Sequence, residues 1–101
     1  MKYENWLFGK DGALFRACSR GKLELAKELV SKGANVNVKS NNGFTSLHRA
    51  AQNGHIKLVE FLLGKGVNPS PKAKDNITPL DLAKKNGHSD IYAVLRKNMK
   101  D

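Results

Sequence analysis

A single cysteine in 101 residues rules out an internal disulfide and points to a reducing compartment. No stretch approaches the ~20 consecutive apolar residues that span a bilayer, and Met1-Lys2-Tyr3-Glu4-Asn5-Trp6 lacks the apolar run of a secretory leader. Together these absences lead us to expect an intracellular, cytoplasmic protein with no membrane span. Acidic residues are also scarce, 9 Asp and Glu against 18 Lys and Arg, for a net charge of +9. Such an excess favours acidic proteins, nucleic acid or anionic surfaces. The cations are scattered, with no basic run of five or six, so charge alone does not choose among these. Catalytic sets are missing as well. No Ser/His/Asp or Cys/His group stands at an interpretable spacing, and the glycines sit where helices end rather than in a phosphate-binding loop. An enzyme, a cofactor and a metal site are therefore not expected.

What is present is a period. The stretch Gly43-Phe44-Thr45-Ser46-Leu47-His48-Arg49-Ala50-Ala51-Gln52-Asn53-Gly54-His55 contains a helix start, a short helix and a helix stop. The Thr45 hydroxyl can accept from the unpaired N–H groups of a first helical turn. Leu47, Ala50 and Ala51 give the helix a small apolar face, and Asn53-Gly54 supplies a left-handed stop. The pattern returns, at one constant offset, as Thr78, Leu80, Ala83, Asn86, Gly87 and His88. The same offset taken backwards finds a weaker copy in Leu14, Arg16, Ala17 and Gly21. A fixed period of this length marks a stacked-repeat architecture in a single domain.

Taken in order, residues 1–9 precede the first repeat, and Trp6-Leu7-Phe8 reads as a lid over the end of the stack or as a partner contact. Repeat one covers 10–42. It has a short helix over Ala13–Ser19 capped by Asp11 or Gly12, and a second helix over Leu23–Lys32 with Leu25, Leu29 and Val30 at helical spacing. Ala34-Asn35-Val36-Asn37-Val38 then alternates as a short strand does, ahead of the turn signal Asn41-Asn42-Gly43. Repeat two covers 43–75, and its second helix, Ile56 to Leu63, is apolar almost all round. Pro69 and Pro71 argue against strand pairing in the next connection, and Asn76 stands where Gly43 stood, as a left-handed position allows. Repeat three, 76–101, opens on Thr78-Pro79-Leu80-Asp81. There Lys84, Ser89 and Arg96 replace Ala51, Ile56 and Leu63, which reads as a C-terminal cap with a polar outer face. Cys18 takes the small-residue slot of Ala51 and reads as core filler.

These residues resemble the ankyrin repeat, with its period of 33 and its T-P-L-H-x-A signature. Thr45-Ser46-Leu47-His48-Arg49-Ala50 matches with Ser for Pro, and Thr78-Pro79-Leu80-Asp81-Leu82-Ala83 with Asp for His. Gly54-His55 and Gly87-His88 match the family's turn between helices, and Gly33-Ala34-Asn35-Val36-Asn37 matches its exit from the second helix. The resemblance implies an all-α solenoid of helix-turn-helix units joined by β-hairpin loops. It also implies a non-catalytic module that binds another protein through hairpin tips and the exposed face of the short helices. Carried over by position, the tips are Lys39, Asn41, Asn42 and Phe44, then Lys72, Lys74, Asp75 and Ile77. The helix positions are Ser19 and Arg20, Gln52 and Asn53, and Lys85 and Asn86, with Phe8 and Asp11 as counterparts on the first repeat. Phe44 and Ile77 suit an apolar centre, rimmed by Lys39, Arg49, Gln52, Lys72 and Lys85. His48 resembles the family's structural histidine, bonded within and between hairpins. Two other readings stay open: an electrostatic binder of nucleic acid or anionic surfaces, and a fragment or engineered scaffold with no partner of its own. A monomer is expected.

Overall fold

Among residues 9–99, which the computed structural model describes, six helices form the frame. They are α1 (Lys10–Arg20), α2 (Leu23–Ser31), α3 (Ser46–Gln52), α4 (Ile56–Gly64), α5 (Pro79–Lys85) and α6 (Ser89–Asn98), with a 3-10 turn at Lys74–Asn76 ahead of α5. Consecutive helices pack in pairs, α1 with α2, α3 with α4 and α5 with α6. The first helices of the repeats, short in α3 and α5 but eleven residues in α1, stack α1 on α3 on α5, and α4 packs on α6. Small residues make the short-helix stack close. Ala17, Cys18, Ala50, Ala51 and Ala83 are all buried in one core with Leu14, Leu47, Leu58, Val59, Leu62, Ile91 and Leu95. Each fully buried leucine there contributes roughly 1.5–3 kcal/mol of transfer free energy.

The starts of α3 and α5 follow the same chemistry. Thr45 Oγ1 accepts the His48 N–H at 3.2 Å, and the His48 ring accepts the Thr45 N–H at 3.0 Å. Thr78 and Asp81 make the same exchange at 3.2 and 3.0 Å, with a carboxylate in place of the ring. Two donors left over by the helix are satisfied each time. Pro79 occupies the first helical position of α5, where no N–H is needed. Ser46 occupies it in α3, and its buried hydroxyl has no partner of full hydrogen-bond geometry; the neighbouring Cys18 thiol is a weak one.

The first repeat departs from expectation. Its short helix starts at Lys10, not Ala13, and Gly9 is the N-cap in place of Asp11 or Gly12, with no side-chain capping bond. Asp11 serves elsewhere: its carboxylate accepts the Asn35 N–H at 2.8 Å and ties the start of α1 to the segment after α2.

The expected strand at 34–38 does not form. Val36 and Asn37 lie in a turn, held by the Asn35 side-chain oxygen accepting the Asn37 N–H at 2.8 Å. The alternation has another origin: Ala34 and Val38 turn inward onto the helices while Asn35 and Asn37 face solvent. Among the described residues the β-hairpin loops reduce to one antiparallel bridge, Lys39 to Thr45, closed by Ser40 N–H to the Phe44 carbonyl at 2.9 Å. The connection after Pro69 and Pro71 makes no such bridge. It folds through the 3-10 turn, with Ala73 N–H on the Ile77 carbonyl at 2.8 Å. Asn76, at φ 62°, takes the left-handed place of Gly43 at φ 82°, as the sequence anticipated, and Asp75 joins it at φ 63°. The two loops touch where Lys74 N–H donates to the Asn42 carbonyl at 2.8 Å.

Burial follows the period less strictly than the pattern suggests. Lys84, Ser89 and Arg96 are exposed, as expected, and Ala51 is sealed. Ile56 and Leu63, expected to be covered, are only half-buried. Leu80, expected to match the buried Leu47, is half-buried too. A body of 34 × 29 × 24 Å leaves every repeat close to a surface, so a repeat-equivalent position need not have equivalent cover.

A candidate protein-binding face

The face begins at His48, which is buried and joins two loops. Nδ1 accepts from the Thr45 N–H and lies 2.9 Å from Thr45 Oγ1, while Nε2 donates to the Ile77 carbonyl at 2.8 Å in the next loop. This pattern requires a neutral ring protonated on Nε2. Burial holds the imidazole below its usual value of 6.5, against the opposing pull of the Ile77 carbonyl. His48 thus sets the position of both tips, as the resemblance implied for its structural histidine.

Phe44 packs edge-on against this ring, with centroids 5.3 Å apart and planes at 76°. The Arg49 guanidinium lies 4.7 Å from the Phe44 centroid and 5.9 Å from that of Phe15, and donates to Gln52 Oε1 at 2.6 Å. Three aromatic and cationic groups from two repeats are therefore layered side by side. Phe15 was not among the expected contact residues. The available signal was its place in the period, one repeat before His48, where a ring replaces the histidine.

The expected contact residues fall into two groups. Lys39, Asn41, Asn42, Lys72, Lys74 and Asp75 are exposed on the two loop tips, and Arg20, Lys85 and Asn86 are exposed at the ends of α1 and α5. Phe44 and Ile77, expected to be exposed, are half-buried, because one stacks between His48 and Arg49 and the other offers its carbonyl to His48. Asn53 and Asn86, though exposed, have internal partners. The Asn53 amide donates to the Ser19 carbonyl at 2.8 Å and to its hydroxyl at 3.3 Å, and Asn86 donates to the Leu82 carbonyl at 2.8 Å. Asp11 is tied to Asn35 as described. Phe8, with Trp6 and Leu7, lies outside the described residues.

Two further histidines link the turns between helices. His55 Nε2 lies 3.1 Å from the Ser19 carbonyl, and His88 Nε2 lies 3.1 Å from the Gln52 carbonyl. Each ring thus bonds the repeat before its own, in the same register. Cys18, fully buried, has its thiol pushed up to about 11 by burial, so it holds almost no thiolate at neutral pH.

Charge is unevenly placed over the surface. The ion pairs found among the described residues lie on the second helices: Lys27–Glu24 at 3.8 Å, Lys32–Glu28 at 2.9 Å and Lys57–Glu60 at 3.9 Å. On the loops and short helices, Arg20, Lys39, Arg49, Lys72, Lys74 and Lys85 outnumber Asp11, Asp75 and Asp81. Cations therefore outnumber carboxylates on the elements that carry the stacked Phe44 and Arg49. None of the described helices is long and apolar enough to cross a membrane.

Among curated proteins the sequence finds no match. It does match the family model described as ankyrin repeats, in three copies over residues 14–101. That match covers most of the chain. The chain belongs to the ankyrin-repeat family.

Proposed function

We propose that this protein binds an acidic segment of a partner protein across its loop tips and short helices, with no catalytic step. Ankyrin repeats are generally protein–protein interaction modules and generally non-catalytic. The observation that carries the finer reading is the layering of Arg49 on Phe44 and Phe15, on elements where cations outnumber carboxylates. An aromatic surface already ordered against a guanidinium loses little side-chain entropy on binding, and a surrounding positive rim steers an acidic partner. Phe44 and Ile77 supply the apolar centre, and Lys39, Arg49, Gln52, Lys72 and Lys85 the rim. A face of this kind offers about 600–1,000 Å² to one partner. In this reading the protein acts as a monomer in a reducing compartment, which the one sealed cysteine suits.

Cross-linking pull-down with Phe44→Ala and Lys72→Glu tests the assignment. Phe44→Ala is expected to weaken capture by about 1–3 kcal/mol. Lys72→Glu is expected to slow association and flatten its salt dependence more than it speeds dissociation. Wild-type capture by both variants, with capture abolished by charge reversal at Arg96 and Lys97, would move the site to the basic end of the stack. Capture lost on nuclease treatment would favour the nucleic-acid reading instead.

A further inference from the structure

The outer face of the third repeat carries a groove of about 360 Å³, lined by Ala83, Lys84, Gly87, His88, Ser89 and Tyr92. Moved back by one repeat, this lining becomes Ala50, Ala51, Gly54, His55, Ile56 and Val59. On the second repeat that surface is where the third one sits. The seat has a specific lock. A Cβ at Gly21 would stand 2.7 Å from the His55 ring, and one at Gly54 would stand 2.8 Å from the His88 ring. Each of these rings lies over the bare glycine turn and bonds a carbonyl beside it, that of Ser19 and then of Gln52. The next place in this series is Gly87, at φ 75°, with nothing within 4 Å of its Cβ position, beside the Lys85 carbonyl. The third repeat therefore keeps an open seat of the form that two histidines fill elsewhere.

The chain leaves α6 differently from the way it leaves α4. Gly66, at φ 83°, turns the chain out of α4, whereas its equivalent Met99 is extended at φ −94° and ψ 101° after α6. Charge disfavours a second copy. The matching groove on the first repeat is lined by Ala13, Arg16, Ala17, Arg20, Lys22 and Leu25, so an end-to-end contact would face cations with cations. It would also place Lys22 where His55 and His88 supply a ring. Around the open seat itself, Lys84 stands where Cys18 and Ala51 are sealed, and Arg96 lies over the Tyr92 ring at 5.9 Å and donates to its hydroxyl at 3.2 Å. Asp90 is the nearby carboxylate, and it already accepts the Ile91 N–H at 2.8 Å.

We propose that this groove is a second protein-docking site, separate from the Phe44 face, and that it takes an acidic segment bearing a histidine. The imidazole stacks over Gly87 and donates to the Lys85 carbonyl, and flanking carboxylates meet Lys84 and Arg96. The probe is the peptide acetyl-Glu-Asp-His-Ile-Glu-Glu-amide, titrated into the full chain at low salt and followed by amide chemical shifts. Saturable shifts centred on Asn86, Gly87, His88 and Tyr92 are expected. Lys84→Glu in the protein, or His→Ala in the peptide, should each raise Kd at least about five-fold, the scale of one lost charge-assisted or ring hydrogen bond. Phe44→Ala should leave this binding unchanged, which separates it from the first face. Shifts centred on Phe44 and Ile77, indifference to both changes, or no saturable shift at millimolar peptide would each overturn the proposal. So would a concentration-dependent dimer that Lys84→Glu abolishes, since a second copy would then own the groove.

Discussion

Leu25 in the first repeat and Leu58 in the second hold the same place in their helices, yet one is 46 % exposed and the other 1 %. Ile91, the third member of the series, is fully buried. Leu58 and Ile91 have a described repeat before them, and Leu25 does not. In a stack, burial is conferred by the neighbour and not by the repeat's own sequence. The short helices differ in a complementary way. The eleven residues of α1 start without a side-chain cap, whereas the seven of α3 are held by a reciprocal Thr45–His48 box. A seven-residue helix is far below the length that stands alone in water, so α3 depends on its cap and on the helices either side.

The largest expected effect tests this difference in cover. Leu58→Ala and Leu47→Ala should each cost about 2–5 kcal/mol by chemical denaturation, while Leu25→Ala should cost under about 1 kcal/mol. Leu80→Ala should fall between them, because Leu80 is half-buried. Equal losses at Leu25 and Leu58 would mean that the first repeat is covered as well as the second.

The turns sharpen the comparison. Gly54→Ala would place a Cβ 2.8 Å from the His88 ring in a left-handed conformation. The cost should be about 2–3 kcal/mol, combining backbone strain with displacement of a hydrogen-bonded ring. Gly87→Ala meets the strain alone and should cost only about 1–2 kcal/mol. A thermal melt of both variants decides whether the ring above Gly54 contributes.

His48 gives the middle repeat a pH dependence that Phe15, its equivalent in the first, cannot give. The folded ring titrates below its unfolded value of 6.5, so the unfolded chain binds the proton more readily. The His48 contribution is therefore full above about pH 6.5 and falls as the pH drops from there through the folded value. Urea midpoints measured from pH 7.5 downward should show this decline, and His48→Phe should flatten that part of it.

Two smaller effects complete the series. Ser46→Pro copies Pro79, removes a buried hydroxyl that lacks a good partner, and should stabilise by about 0.5–1 kcal/mol. Glu28→Ala, at an exposed pair on α2, should change stability by less than about 0.5 kcal/mol in low salt.

Much of this was readable from residue types at a fixed spacing. Thr45 and Thr78 mark helix starts because a hydroxyl at that position answers orphan N–H groups wherever it occurs. Asn76 marks a left-handed residue because its place in the period is that of Gly43. Such signals act within a few residues, so they survive without knowledge of the tertiary structure. The strand reading at 34–38 failed for the converse reason. An alternation of apolar and polar residues reports which side chains face inward, and a turn lying across helix ends produces it as readily as a strand.

The sequence by itself determined the period, the helix boundaries set by Thr caps and glycine stops, and the family. These follow from local backbone chemistry repeated at a constant interval. Tertiary structure alone decided how that chemistry is shared between repeats. It set Arg49 against the Phe15 ring of the repeat before its own. It sent His48, His55 and His88 to carbonyls of neighbouring repeats, and left Leu25 and Gly87 uncovered. Those contacts join residues about thirty positions apart, and their energies depend on which repeat lies alongside. No window short enough to read as a motif contains both partners.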